Sequence, residues 1–213
     1  MVYKTFIKKT RLITNKEKAE KLYNAHHIKT LLDLGAGSNP HNLIRQALGI
    51  KQILVDISNE SDINSVISID VMNFAAISKN LVVLTGKDKV DCVVALHVVE
   101  HLEKDQSLKL IHQMSNWASK IIIIETPNGF LAQEGTVNNP FQAHLCGYTV
   151  NELRSLGFKV TGTTGMKFLR NNHSKGSYKN KSIYIYFLDR ILFKLFHRFP
   201  KLSFNLFAYK ILT

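Results

Sequence analysis

The sequence predicts an α/β protein, a doubly wound and mostly parallel sheet with helices on both faces. Short runs rich in Ile, Val and Leu recur along the chain, each is bounded by Gly, Asp, Asn or Pro, and longer segments with helical spacing separate them. Such runs are too short for helices and are typical of strands buried on both faces. The predicted strands are Lys29–Leu34, Gln52–Ile57, Val66–Ile69, Val90–Leu96, Lys120–Glu125, Phe158–Gly162 and Phe204–Leu212.

Length and composition agree with one compact domain over residues 1–213. The hydrophobic fraction of 45% and charged fraction of 21% exclude disordered, collagenous and disulfide-dense classes. The only two cysteines are Cys92, inside an apolar run, and Cys146, and residues 1–10 lack an apolar signal core. We therefore expect a buried thiol at Cys92, a reducing compartment and a cytoplasmic location.

Charge is unevenly distributed along the chain. The net charge is +12, and residues 1–29, 30–152 and 153–213 contribute +6, −5 and +11. A field this uneven favours contact with an anionic partner at the C-terminal end, such as a membrane surface, a nucleic acid or an acidic substrate.

Glycines and acids follow the first three predicted strands, at the edge of a doubly wound sheet where ligands bind. Gly35 and Gly37 precede a predicted helix, Asn39–Leu48, and allow a ligand to approach the backbone. Asp33 would repel a pyrophosphate but could neutralise a cationic amino-acid group. Asp56 is placed to accept hydrogen bonds from ribose hydroxyls and Asp70 from an adenine amine. Each aspartate could alternatively cap a helix, and the glycines could form a plain turn.

Together with the block Asp91–Lys104, these residues resemble class I S-adenosylmethionine-dependent methyltransferases over roughly Leu31 to Gly165. The resemblance implies a Rossmann-like, three-layer αβα fold with a seven-stranded sheet whose last strand is antiparallel, and S-adenosylmethionine as cofactor. Asn39 stands where the family often has a third glycine, which leaves the detail of the loop open. The cofactor-binding residues predicted from these motifs are Asp33, Gly35, Ala36, Gly37, Asp56, Ile57, Asp70, Val71, Leu96 and His97.

Three residues are candidates for catalysis. His101 could act as a general base with Glu100 orienting it, although Glu100 could instead cap a helix and His101 could simply pack. His144 is the second candidate base, with bracing of its loop as the alternative. The resemblance narrows to small-molecule members of the family at the segment around Pro127-Asn128 and His144. This segment precedes a capping box of Thr149 and Glu152.

Residues 166–203 are predicted to be an insertion between the last two strands. Polar residues of Ile183–Phe199 occupy one half of a helical wheel, so we expect a basic amphipathic helix there. The alternatives are a lid or ordinary packing, contact with an anionic membrane, and a dimer partner. The stretch Asn171–Lys181 is predicted to be a loop. The polar residues of the wheel are Asp189, Arg190, Lys194, His197 and Arg198.

The favoured function is methyl transfer to a small-molecule acceptor, with lipid-linked or saccharide acceptors included. An RNA methyltransferase is the main rival, but the loop after the fourth strand, ALHVVEHL, lacks the motifs of base-modifying enzymes. An NAD-dependent oxidoreductase is disfavoured by Pro40 at the third glycine position, and a non-catalytic nucleoside-binding module is the last alternative. The histidines show no metal-binding spacing, so the sequence predicts no metal site, and it leaves the oligomeric state open.

Overall fold

The computed structural model describes residues 18–37, 49–57, 66–137, 139–169, 184 and 198–212. Seven strands form one sheet in the order β3-β2-β1-β4-β5-β7-β6. Every predicted strand is present, and the bounds of β4 agree at both ends. The strands are β1 (Thr30–Leu34), β2 (Lys51–Asp56), β3 (Val66–Ser68), β4 (Val90–Leu96), β5 (Ala118–Pro127), β6 (Lys159–Met166) and β7 (Ser203–Ile211).

The strand pairings confirm the doubly wound sheet with an antiparallel end. β1 pairs in parallel with β2 from Thr30↔Lys51 to Leu34↔Val55, and β2 pairs in parallel with β3. β7 is antiparallel to β6, from Lys159↔Tyr209 to Met166↔Ser203. Helices flank this sheet, so the structure has the Rossmann-like α/β architecture that the sequence predicts.

The described residues include four helices: α1 (residues 18–25), which precedes β1, and α2 (Phe74–Thr85), α3 (Lys104–Trp117) and α4 (Val150–Ser155), which lie between strands. Short 3₁₀ turns are present at Val99–His101, Pro140–Gln142, Lys167–Leu169 and Pro200–Leu202. Helix α4 begins with the predicted capping box of Thr149 and Glu152.

The sequence also has helical spacing over Glu103–Ser119, which predicts a helix longer than the one observed: α3 ends at Trp117, β5 begins at Ala118, and the Ser119 hydroxyl donates a hydrogen bond to the Val90 carbonyl (3.1 Å). The predicted helix Asn39–Leu48 lies outside the described residues, as do the predicted loop Asn171–Lys181 and nearly all of the predicted helix Ile183–Phe199.

The chain divides into two compact units. The first unit comprises Met1–Val94, Met114–Ile122 and Ile211–Thr213, and its core contains buried residues of β1, β2 and α2, such as Leu32, Val55 and Leu81. In it, the Trp117 indole N–H donates to the Ser78 hydroxyl (2.9 Å).

The second unit comprises Ala95–Gln113 and Ile123–Lys210. Its core includes Tyr148, Leu153 and Leu206, which have no measurable exposure. β6 ends at Met166 and β7 begins at Ser203, so the predicted insertion 166–203 joins the last two strands along the chain. Its role as a lid or membrane-facing segment stays a prediction. No described helix is long and apolar enough to cross a membrane.

Candidate functional site

In the first unit, the glycine loop follows β1 and is held against the end of β2. Gly35 and Gly37 have φ values of 67° and 63°, in the left-handed region where a side chain is strained. The Ala36 N–H donates to the Val55 carbonyl (3.0 Å), and the Gly37 N–H donates to Asp56 Oδ2 (2.7 Å). One carboxylate that accepts a backbone N–H thus holds this turn of left-handed glycines in place.

Asp33 lies in β1 and is buried, with 6% of its surface exposed. Burial raises the pKa of the Tyr23 hydroxyl and of the Cys92 thiol, and the negative charge of Asp33 raises both further. Cys92 is a free, buried cysteine, as predicted. A carboxylate in such surroundings provides a strong negative potential for a cationic group.

Asp70 is exposed and lies in the turn before α2. Its Oδ1 accepts the N–H of Met72 (2.8 Å), whereas the N-cap of α2 is Asn73, whose side chain accepts the N–H of Ala76 (3.2 Å). Asp70 therefore does not cap the helix, and its side chain stabilises the turn locally.

The two predicted apolar contacts of the cofactor in this unit differ in exposure. Val71 is buried at 9% exposure, whereas Ile57 is 39% exposed. The first unit contains every predicted cofactor-binding residue that precedes β4. These residues are Asp33, Gly35, Ala36, Gly37, Asp56, Ile57, Asp70 and Val71.

Leu96 and His97 belong to the second unit, at the end of β4. His97 has a φ of 57°, which is uncommon for a residue other than glycine and is a feature of functional sites. Its backbone N–H donates to the Glu125 carbonyl (2.8 Å), and its ring Nδ1 donates to Glu100 Oε1 (3.0 Å). His97 Nε2 lies 3.9 Å from Glu125 Oε1. The structure thus places His97 beside two buried carboxylates, a contact that the sequence did not indicate.

Glu100 is almost fully buried, with 1% of its surface exposed. Burial alone raises the pKa of its carboxyl group, but the hydrogen bond and charge of His97, together with the nearby His101, outweigh burial and leave the pKa below its ordinary value. Glu100 is therefore a carboxylate at neutral pH. Its Oε2 accepts no hydrogen bond from any described residue.

His101 and His144 are 43 positions apart along the chain, yet their rings are in contact. The ring centroids are 4.7 Å apart and the ring planes are inclined by 66°. His101 Nδ1 lies 2.9 Å from the Ala143 carbonyl oxygen, and His144 Nδ1 lies 2.7 Å from the Leu131 carbonyl oxygen. Burial lowers the pKa of His144 more than the Leu131 contact raises it, so this ring is neutral at pH 7. The predicted catalytic residues Glu100, His101 and His144 therefore form one cluster.

Backbone hydrogen bonds bring the loop that carries His144 to the 3₁₀ turn Val99–His101. The carbonyl of Glu100 accepts the N–H groups of Leu145 (2.8 Å) and Cys146 (3.2 Å). The Cys146 thiol donates to the Val99 carbonyl (3.2 Å), and burial raises the pKa of that thiol. Main-chain hydrogen bonds thus position the two histidines, in addition to the contact between their rings.

A second polar network in this unit supports the same loop. Lys104 Nζ donates to the Gly147 carbonyl (2.7 Å) and to Glu152 Oε1 (2.9 Å), and lies 3.5 Å from the ring centroid of Tyr148. The Tyr148 hydroxyl donates to the Ser107 hydroxyl (2.8 Å), and burial raises its pKa to about 12. These residues stabilise the loop by hydrogen bonding and a cation–π contact.

Asn128, which belongs to the Pro127-Asn128 segment that carries part of the resemblance, has a structural role. Its side-chain N–H groups donate to the carbonyls of Pro200 (3.2 Å), Lys201 (3.1 Å) and Ser203 (2.8 Å). The amide therefore connects the residues after β5 to the turn before β7. A surface cavity of about 300 Å³ is lined by Asn128, Thr149, Val150, Asn151 and Lys201, and it contains none of the predicted cofactor or catalytic residues.

The chain has the fold of class I S-adenosylmethionine-dependent methyltransferases. An S-adenosylmethionine-dependent methyltransferase from Archaeoglobus fulgidus matches with a TM-score of 0.57 and 18% identity, over 100% of both chains. The 1,6-didemethyltoxoflavin-N1-methyltransferase of Burkholderia thailandensis matches with a TM-score of 0.52 and 14% identity, over 95% of this chain and 78% of that one. The plantazolicin methyltransferase BpumL matches with a TM-score of 0.53 and 16% identity, over 95% and 83%.

No protein-family model matches the chain, and no curated protein matches it in sequence. The likeness is therefore one of fold, and the function must be argued from the residues of the two units.

Proposed function

We propose that the chain is an S-adenosylmethionine-dependent methyltransferase that acts on a small-molecule acceptor. The observation that supports this most is the hydrogen bond from the Gly37 N–H to Asp56 Oδ2 (2.7 Å), which orders a loop of left-handed glycines after β1. A carboxylate at the end of the next strand is the group expected to accept ribose hydroxyls.

The charges of the first unit suit a sulfonium nucleoside better than a dinucleotide. Asp33 would neutralise the amino group of the methionine moiety, Asp56 would bind the ribose and Asp70 the adenine amine. Val71 and Ile57 supply apolar contacts for the base. Asp33, two residues before the first glycine of the loop, would repel the pyrophosphate of NAD, which is the main argument against an oxidoreductase.

Two solved structures with this fold support a low-molecular-mass acceptor. The 1,6-didemethyltoxoflavin-N1-methyltransferase was crystallised with 1,6-didemethyltoxoflavin and S-adenosylhomocysteine, and the plantazolicin methyltransferase with a monoazolic desmethylPZN analogue and S-adenosylhomocysteine. A donor of this type and an acceptor of comparable size are therefore the chemistry that we expect of this chain.

The protein does not need to form a covalent bond with the donor or the acceptor in this reaction. The nucleophilic atom of the acceptor attacks the methyl carbon while the carbon–sulfur bond breaks, and the sulfur keeps the electron pair and leaves as S-adenosylhomocysteine. The proton of the acceptor must leave at the same stage. His101 and His144 each direct Nδ1 to a carbonyl oxygen, which leaves Nε2 as the ring nitrogen that could take this proton, and Glu100 is an ionised group next to them.

The proposal is tested by supplying S-adenosylmethionine labelled with tritium in its methyl group. The purified chain is incubated with the low-molecular-mass fraction of a cell extract and, separately, with total RNA. We expect label in the first fraction and none in RNA. Label in RNA would overturn the small-molecule acceptor, and no transfer to any fraction would overturn the enzymatic role.

Asp56→Asn and His144→Gln are the variants for this assay, and His112→Gln is the matched control because His112 is an exposed histidine of α3. Transfer should fall in the first two variants and remain in the control. Equal transfer by all three would remove both residues from the proposed machinery.

A further inference from the structure

The cluster in the second unit has the composition of a metal site. One oxygen of Glu100 and one ring nitrogen from each of His101 and His144 all lie within 4.8 Å of one another. Ligand atoms bound to one ion at about 2.1 Å are at most about 4.2 Å apart, so a small closure of the cluster would allow all three to coordinate.

The two imidazole rings each hold one nitrogen against a backbone carbonyl oxygen. Carbonyl oxygens can only accept hydrogen bonds, so the contacts to Ala143 and Leu131 require that both Nδ1 atoms carry the proton. A neutral ring then has its lone pair on Nε2. Histidines that bind metals commonly donate their other N–H to a backbone carbonyl in this way, which fixes the tautomer and the direction of the ring.

Glu100 provides independent evidence for a cation site. Its Oε1 accepts the hydrogen bond from His97, but its buried Oε2 accepts none from any described residue. Buried carboxylate oxygens are costly unless they are hydrogen-bonded, paired or bound to a metal. A cation bound at Oε2 would satisfy this oxygen.

We propose that Glu100, His101 and His144 bind one divalent transition-metal ion. Two imidazoles and one carboxylate form a donor set that suits Zn²⁺ and other late first-row ions and leaves coordination positions open. The proposal departs from the sequence prediction of no metal. That prediction used spacing along the chain, and the contact between His101 and His144 depends on the loop that returns to the turn Val99–His101.

The open positions suggest the class of acceptor, an inference that rests on the proposed methyl transfer. A bound metal lowers the pKa of a coordinated hydroxyl group. The hydroxyl would release its proton to solvent, and the resulting oxyanion would attack the methyl carbon as the carbon–sulfur electron pair returns to sulfur. The acceptor would then be a small molecule with a hydroxyl group. In this arrangement Nε2 of each histidine binds the metal and is not the base.

Metal binding is measured first, without any assay of activity. The chain is stripped with a chelator and titrated with Co²⁺, whose absorption bands report on ligation, and then with Zn²⁺ by calorimetry. We expect saturation at one ion per chain. The variants His101→Gln and His144→Gln should each weaken binding by more than about 10-fold, and the exposed control His112→Gln should match the wild type.

The outcomes are distinct. Absence of saturable Co²⁺ and Zn²⁺ binding, or equal affinity in His101→Gln, His144→Gln and wild type, would overturn the site. Circular dichroism checks that each variant is folded. Should Glu100→Gln fail to fold, the two histidine variants still decide the question, because both rings are only partly buried.

The same samples separate this proposal from the methyltransferase proposal. Calorimetry with S-adenosylhomocysteine on the metal-free chain tests the donor residues alone. Donor binding without metal binding would overturn the metal site and leave the methyltransferase intact, whereas metal binding without donor binding would do the reverse.

Discussion

The charge of Asp56 is predicted to contribute directly to the affinity for the donor. The change Asp56→Asn keeps the size of the side chain and an acceptor oxygen near the Gly37 N–H, but it removes the negative charge. A hydrogen bond to a charged group contributes about 1.5–3 kcal/mol, against about 1 kcal/mol for a neutral one. We therefore expect a loss of about 1–2 kcal/mol, which is a weakening of S-adenosylhomocysteine binding by roughly 5- to 30-fold.

Asp91→Asn is the matched control within the first unit. Asp91 Oδ2 also accepts backbone N–H groups, from Lys29 (2.7 Å) and Thr30 (3.1 Å), and Oδ1 pairs with Lys120 Nζ (2.9 Å). It lies near the start of β4, whereas Asp56 is the last residue of β2. Both variants should lose stability, but only Asp56→Asn should lose affinity.

Titration calorimetry with S-adenosylhomocysteine measures the affinity, and urea unfolding measures the stability of the same samples. The reasoning would be refuted by wild-type affinity in a folded Asp56→Asn chain. Equal loss of affinity in both variants would also refute it, because the effect would then come from general destabilisation.

Two further predictions concern stability. The N–H of Thr149 is the main contact that lowers the pKa of Glu152 from 4.5 to about 2, so Glu152 stabilises the fold above pH 4.5 and this contribution disappears as the pH falls toward 2. The urea midpoints at pH 5 and pH 3 should therefore differ more for wild type than for Glu152→Gln. Identical differences for the two proteins would contradict this prediction. Tyr148→Phe removes a buried hydroxyl that donates to Ser107 (2.8 Å) and should lower the free energy of unfolding by about 1–2 kcal/mol. The control Tyr184→Phe, at an 81% exposed position, should change the free energy of unfolding by less than about 0.5 kcal/mol. Equal urea midpoints for these two variants would contradict this prediction.

The sheet could be predicted from the sequence because its strands are continuous apolar runs with clear boundaries. The residues Ile121–Ile124 of β5, for example, are buried one after another, as expected when both faces of a strand are covered. Helix α2 was not among the predicted helices, and its composition explains why. Val82, Val83 and Leu84 near its end are exposed, so its apolar residues do not mark one face.

The limits of β6 were harder to place. The segment Lys159–Met166 contains the weak strand formers Gly162 and Gly165, and the predicted strand therefore ended at Gly162. Pairing with β7 extends β6 to Met166, with an irregular register between Thr163 and Met166. Tertiary pairing here overrides the local preference of the residues.

The residue types of the candidate site were predictable, but their contacts were not. Glu100, His101 and His144 were identified from motifs, whereas the contact between the two histidines depends on main-chain hydrogen bonds of a long loop. The left-handed backbone of His97 and its hydrogen bond to Glu100 have no counterpart in the sequence pattern. The three hydrogen bonds from the Asn128 amide to backbone carbonyls also could not be predicted, since no neighbouring residue in the sequence indicates a structural role for that side chain.

The proposed function depends most on the ability of the first unit to bind a sulfonium nucleoside. Calorimetric titration of the wild-type chain with S-adenosylhomocysteine, beside a parallel titration with NAD, tests this most directly. We predict saturable binding of one S-adenosylhomocysteine per chain and no binding of NAD. An absence of heat with S-adenosylhomocysteine, or saturable binding of NAD, would contradict the account.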